Sequence, residues 1–500
     1  MPRIISLITL LVLALVPLHA QAQEQDPFAA RMQEQMPGLL AAHHVPGAIV
    51  AYIRNGDVAW TQAYGVANTR TGEAMQPEMI MNFGSCGKVL TAWGVMRLVE
   101  TGQVNLDAPA NQYLKRWQIE SSQFDPSQVT VRRLLSHTGG LSAPGFSDYS
   151  HRRRMPTLVE MLEGKNQMDG RVDILWQPGT QFHYSGGGFV LLQMIIEDVT
   201  GESFADFMQR EVAAPLGISS LSWAWTPALE QAAAMPHASQ GEPVGYRQLA
   251  SYAIGSELST TADFARFIAA TVEGPNGEPA GRGVLSPETV REMITSQPNT
   301  GGESGLAYGL AAIGGDQTVM HFGSNLGWNA FFILDTGRRE GVVMATNSAN
   351  GFSLLTAVQN LWVNTALGDH VNVYPPPADL LGFQGRAALI IAGALGAAWA
   401  LAALVFGLQI RSGWRQVAKL SWPRLLGVLP WALLALFWCY WIYVPYRGLL
   451  PTTFPEVWPI PQAAYVMAAL LAWVVLAVAM ALFPRKPRMA PGERQVTASG

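Results

Sequence analysis

Five hundred residues, 49% of them hydrophobic and 14% charged, are too many for one ordinary domain and too apolar for a chain that lies wholly in water. The net charge of −4 is unevenly spread: from Asn372 onward ten Lys/Arg face three Asp/Glu, a balance of +7 that leaves −11 for the body and argues against nucleic-acid binding there. Cys86 and Cys439 lie in different parts of the chain, so no disulfide framework is possible within the body, and the nine histidines form no metal-ligand spacing, so neither a metal nor another cofactor is expected.

The chain begins with one early arginine, an apolar run from Ile4 to Val16 and Ala20-Gln21-Ala22. This is the pattern of a secretory signal with cleavage after Ala22, so residues 1–22 are read as a signal peptide. Residues 23–372 form the body. Gly47 to Ile53 and Val58 to Tyr64 are β-rich runs around Arg54-Asn-Gly-Asp, a hairpin signal. Ala330 to Leu334 and Gly341 to Thr346 flank Asp335-Thr-Gly-Arg-Arg-Glu, a second one. Helical patterns lie between, at Lys88–Thr101, Phe189–Val199, Phe204–Glu211 and Ala262–Val272. Strands at both ends with helices between predict one sheet built from the two chain ends beside a helical region.

Residues 373–386, with Tyr374-Pro-Pro-Pro, read as a stiff linker. Three uncharged apolar stretches follow, 387–410, 425–446 and 463–483, each long enough to span a bilayer. Arg411, Arg415, Lys419 and Arg424 lie between the first two; Arg485, Lys486, Arg488 and Arg494 follow the third. By the positive-inside rule those two segments, including the tail 485–500, face the cytoplasm and the body lies outside it, where the signal would send it.

The chemistry is read from Phe83-Gly-Ser-Cys-Gly-Lys, where Ser85 precedes Lys88 by three residues at the start of an almost wholly apolar helix that Gly102 ends. Of five lysines only Lys88 has a serine at that spacing. A serine hydroxyl needs a neighbour to remove its proton, and a buried amine can serve. The helix N-terminus offers N–H groups to an oxyanion. Tyr184-Ser-Gly-Gly-Gly ahead of an apolar helix could hold a phenol in a cleft for proton relay. His321-Phe-Gly-Ser is expected just before a strand, with Gly323 allowing close backbone approach. His137, in Leu-Leu-Ser-His-Thr-Gly-Gly, reads as structural rather than as a base, and Cys86 as a small buried filler.

Taken in this order, the three motifs resemble the serine β-lactamase and penicillin-binding-protein superfamily, and within it the class C, D-alanyl-D-alanine carboxypeptidase and esterase branch. The likeness runs from about Met32 to Gly368. It implies an α/β fold of the β-lactamase/transpeptidase type, an antiparallel sheet flanked by helices plus an all-helical subdomain, followed here by three transmembrane helices. It implies Ser85 as acylated nucleophile, Lys88 as its base, Tyr184 as second proton-transfer group, and the N–H groups of Ser85 and Ser324 as oxyanion hole. Ser185, His321, Gly323 and Asn325 would line the substrate site. Two positions depart from the family pattern: Gly186 stands where Asn is usual, and His321 where β-lactamases have Lys. Both weaken the expectation of β-lactam hydrolysis, since a neutral imidazole is a poorer carboxylate anchor than an ammonium.

The layout also resembles periplasmic prodrug-activating peptidases, which join such a domain to three C-terminal helices. The expectation is a serine hydrolase in the bacterial inner membrane, its catalytic domain periplasmic, cutting an amide or ester of a small molecule or peptide through an acyl-serine. A D-amino-acid-specific peptidase and a non-hydrolytic β-lactam sensor are the alternatives. The sensor lacks an effector, because the cytoplasmic segments are short. Oligomeric state is left open.

Overall fold

The computed structural model describes residues 26–143, 145–165, 170–367, 378–417, 422, 426, 428–438 and 463–485. The expected signal segment, Cys439 and residues 486–500 lie outside them.

Among the described residues eleven strands run in chain order: β1 Gly47–Arg54, β2 Asp57–Asn68, β3 Glu73–Ala74, β4 Ile80–Asn82, β5 Asp148–Ser150, β6 Arg247–Leu249, β7 Leu258–Thr260, β8 Gly309–Ile313, β9 Asp316–Asn325, β10 Trp328–Asp335 and β11 Glu340–Thr346. Seven form one antiparallel sheet in the order β3-β2-β1-β11-β10-β9-β8. The N-terminal hairpin thus docks on the C-terminal one through β1 and β11, with Ala48 opposite Thr346 and Ile53 opposite Gly341. Both expected hairpins form. Asn55 and Gly56 take positive φ in the first turn, the conformation a tight two-residue hairpin needs.

β1 is buried on both faces, which explains its unbroken apolar sequence. Ala48, Val50 and Tyr52 point to one side and join Phe331, Ile333, Val342 and Met344 under the helices Pro27–His43 and Gly351–Leu367. Ile49, Ala51 and Ile53 point to the other and join Phe332, Val343, Phe83, Trp93 and Phe264. That second core runs on through the helical region, so helices cover both faces of the sheet. Helices Pro27–His43 and Gly351–Leu367, at the two ends of the body, escape the sequence reading, which placed the body's helices only in its middle.

The helix after Ser85, the serine helix, spans Gly87–Glu100 and the one after Tyr184 spans Gly186–Thr200. The expected helix at 204–211 is α-helical over Phe204–Met208 and widens into a π turn at Gln209–Ala213. The segment around His321 corrects its expectation. It lies within strand β9 rather than ahead of a strand, because Met320, Phe322 and Ser324 pair with Ile333, Phe331 and Asn329 of β10.

Two helices among the described residues are long and apolar enough to cross a membrane, Leu389–Arg411 and Tyr465–Leu482. The first belongs to a helix that starts at Ala378, so residues 378–386 of the expected linker are helical, while 373–377 lie outside the described residues. The middle stretch is described as helix only over Leu429–Trp438, shorter than a span, and its remainder from 439 onward is not described. The two long helices run side by side and parallel. Trp399 Nε1 donates to Ala472 O at 2.9 Å, Trp473 Nε1 donates to Leu395 O at 3.1 Å, and Arg415 donates to Phe483 O at 2.7 Å near both C-terminal ends.

Candidate active site

Ser85 sits on a single 3₁₀ turn, Gly84–Cys86, that leads into the serine helix. Backbone proximity makes the turn. Gly84 has φ +53°, and a Cβ there would stand 2.5 Å from Ser324 N; a Cβ on Gly323 would stand 1.8 Å from Phe83 O and 3.0 Å from Ser85 N. Only glycine lets the serine turn and β9 lie this close, with the backbone nitrogen of Ser324 beside Gly84 and that of Ser85 beside Gly323. Asn82 and Asn325 tie the same junction: Gly84 N donates to Asn82 Oδ1 (3.0 Å), and Asn325 Nδ2 donates to Asn82 Oδ1 (2.6 Å) and to Gly255 O (2.8 Å).

Lys88 lies one turn on and is 2% exposed. Its Nζ is 3.0 Å from Ser85 Oγ and donates to Ile254 O at 2.6 Å. It forms no ion pair with any described residue. Its Nζ stands 5.2 Å from the centre of the Tyr184 ring and 5.6 Å from that of Phe189. Glu257, the one carboxyl buried beside the helix start, occupies the space a Gly87 side chain would take. Neither of its oxygens has a hydrogen-bond partner among the described residues. Burial pushes it up to about 8, so at neutral pH it is mainly the uncharged acid.

Tyr184 is held by His137, whose ring stacks on it at 4.3 Å. His137 Nδ1 accepts from Ser185 N at 3.1 Å, so Nδ1 is unprotonated. Burial and the neighbouring Lys88 hold its pKa well below the ordinary histidine value. It packs behind Tyr184 and borders the cleft. Ser185 departs from its expected substrate role. Its side chain is buried, donating to Ser142 O (2.7 Å) and accepting from Gly188 N (3.2 Å) as the N-cap of the helix that follows Tyr184. Asn325 likewise differs: it borders the cleft, but its amide N–H groups are taken by the scaffold bonds above.

Ser85, Lys88, Tyr184, His321, Gly323, Ser324 and Asn325 meet on a cleft of about 450 Å³. Ser185 is the one expected site residue not on its wall. Cys86 is buried behind, its Sγ 3.4 Å from His321 O, with its thiol pushed up by burial. Among the described residues no cluster of three or more His, Cys, Asp or Glu could hold a metal ion. Sequence reading missed Asn82 and Glu257. Asn82 carries no local signal, and Glu257 is one acid in Gly-Ser-Glu-Leu-Ser, unremarkable until folding buries it.

A hydroxyl within bonding distance of a buried amine, on a turn packed backbone to backbone against a strand, is the apparatus of a serine hydrolase. The chain belongs to the Beta-lactamase family, whose profile matches residues 28–360. It is similar to penicillin-binding protein 4 of Amycolatopsis lactamdurans, 28% identical over 70% of this chain and 93% of that one. It also resembles esterase EstB of Burkholderia gladioli, 26% identical over 44% of this chain and 57% of the other. The fold matches that of the octameric penicillin-binding protein homologue from Pyrococcus abyssi, with TM-score 0.58 and 23% identity over 71% of this chain and 81% of that one. It also matches the D-amino acid amidase from Ochrobactrum anthropi SV3, with TM-score 0.54 and 22% identity over 68% and 98%.

Proposed function

We propose that this protein is a membrane-anchored hydrolase that cuts an amide or ester through an acyl-Ser85 intermediate, with its catalytic domain in the periplasm. The observation that carries the chemistry is the 3.0 Å approach of Lys88 Nζ to Ser85 Oγ at the floor of the cleft. Lys88 Nζ faces the Ser85 hydroxyl and keeps an N–H on Ile254 O, so it stands where the base that takes the serine proton must be. As Ser85 Oγ attacks the substrate carbonyl, its proton passes to Lys88. The N–H groups of Ser85 and Ser324 take the oxyanion. Tyr184, beside Lys88, returns the proton to the leaving group, and water then cleaves the acyl ester by the reverse route.

Anchoring is supported by the parallel arrangement of the two long apolar helices. Two parallel spans need the chain between them to cross back, which is the place of the middle stretch, 425–446. With the arginine-rich segments at the shared end, the body falls on the opposite, periplasmic side.

Intact-mass spectrometry of the full chain in detergent tests the chemistry. A fluorophosphonate should add one adduct to the native protein and none to Ser85→Ala. Lys88→Ala should label about 10²–10⁴-fold more slowly. Labelling that persists in Ser85→Ala rules out Ser85 as the nucleophile.

A further inference from the structure

The wall of the cleft carries a charge pattern that acylation itself does not require. Among the described residues lining it, Lys88 is the only Lys or Arg, and its nitrogen is engaged beneath Ser85. The wall also bears two carboxylates, Asp148 and Glu303. Arg247 pairs with Asp148 at 2.5 Å, whereas Glu303 is exposed and forms no ion pair with a described residue. Phe146, Leu249, Met320 and Phe322 supply apolar surface. Phe182 and Phe352 also line the cleft, yet remain 41% and 38% exposed, unusual for such large apolar rings.

His321 decides what this wall attracts. Its Nδ1 lies 2.6 Å from Phe322 O. A carbonyl oxygen only accepts, so Nδ1 carries the proton of the neutral ring. Burial above all lowers the pKa of His321 to about 4, so the ring is neutral at pH 7 and Nε2 is a bare lone pair. A carboxylate brought against this strand would give up water and meet an acceptor and the Glu303 charge in its place. An N–H group would find an acceptor.

We propose that the cleft takes an uncharged or cationic amide or ester that offers an N–H to His321 Nε2 and an apolar group to the exposed phenylalanines, and that it turns away substrates with a carboxylate beside the scissile bond. This rests on the acyl-enzyme reading and adds the substrate class.

The test uses the full chain in detergent and two pairs of activated esters, every rate divided by that of hydroxide on the same ester. In the first pair, 4-nitrophenyl phenylacetate should exceed its 3-carboxy-4-nitrophenyl analogue in kcat/KM by at least about ten-fold. Glu303→Gln should narrow that ratio and His321→Lys should reverse it. In the second pair, the 4-nitrophenyl ester of N-acetylphenylalanine should outrun its O-acetyl-phenyllactate counterpart, which lacks the N–H, and His321→Phe should erase the difference. Each ratio is taken within one variant, so a general loss of activity cancels. Equal rates across either pair in the native protein, or ratios that the variants leave unchanged, overturn the inference. Fluorophosphonate labelling of Ser85 on the same preparation separates the two levels. Labelled protein without discrimination sinks the substrate class alone; absence of labelling sinks it together with the acyl-enzyme reading.

Discussion

Glu257 shows at the scale of one residue how a buried acid bears on its neighbours. It packs on the first turn of the serine helix and is protonated at neutral pH, so it adds no full negative charge beside Lys88 there. The Lys88 amine therefore meets no full carboxylate charge there, as the base role proposed for it requires. The same carboxyl should leave a mark on stability. Its pKa rises from 4.5 to about 8 on folding, so its proton-linked contribution is complete below 4.5 and fades as pH rises through 8. Glu257→Gln keeps the shape and removes the titration. Thermal melts should show the Gln variant gaining on the native protein from pH 5 to pH 8, by up to about 1.4 kcal/mol per pH unit. A gap that stays constant across that range would mean that Glu257 is not protonated in the fold.

Between elements, the site is a junction of three: the serine turn, the end of β9 and the segment at Gly255. Asn325 joins all three through Asn82 Oδ1 and Gly255 O. Asn325→Ala should destabilise the fold by about 1–3 kcal/mol, because Asn82 Oδ1 keeps only its bond from Gly84 N and Gly255 O is left bare. It should also lower kcat by about ten-fold or more, through a looser Gly84 turn, with fluorophosphonate labelling slowed in step. Gly323→Ala is the harsher change. Its new methyl meets a backbone carbonyl that cannot rotate away, so the turn and β9 must part. Circular dichroism and labelling together should report a folded protein that no longer acylates. Normal labelling in Gly323→Ala would refute the contact between the turn and β9.

The whole molecule joins a hydrolase domain to a parallel pair of apolar helices whose C-terminal ends meet at Arg415 and Phe483. If they span as proposed, positions just after Arg411 and just after Arg485 lie on one side of the membrane. Reporter fusions there should be active only with a cytoplasmic enzyme such as β-galactosidase, and a fusion near Glu456 only with a periplasmic one such as alkaline phosphatase. Opposite reporters for the first two positions would contradict the parallel pair. The same orientation leaves the cleft open to the compartment into which a secretory signal delivers the body.

The sequence by itself determined the elements that rest on local pattern. Both hairpins, the apolar helices after Ser85 and Tyr184, the serine–lysine spacing and the two long apolar helices of the tail are each written within one short window, where periodicity of 2 or 3.6, length and turn chemistry suffice. It also identified the residues that meet on the cleft, because the motifs carry them as units. Tertiary structure alone decided the rest. Ser185 became a buried cap, Asn325 a scaffold tie and Glu257 an uncharged acid through partners brought from 43 to 243 positions away, and His321 an acceptor through its bond to the next carbonyl and the burial that the fold imposes. A side chain's identity states which bonds it can make, but burial and the neighbours that the fold supplies determine which of them it makes.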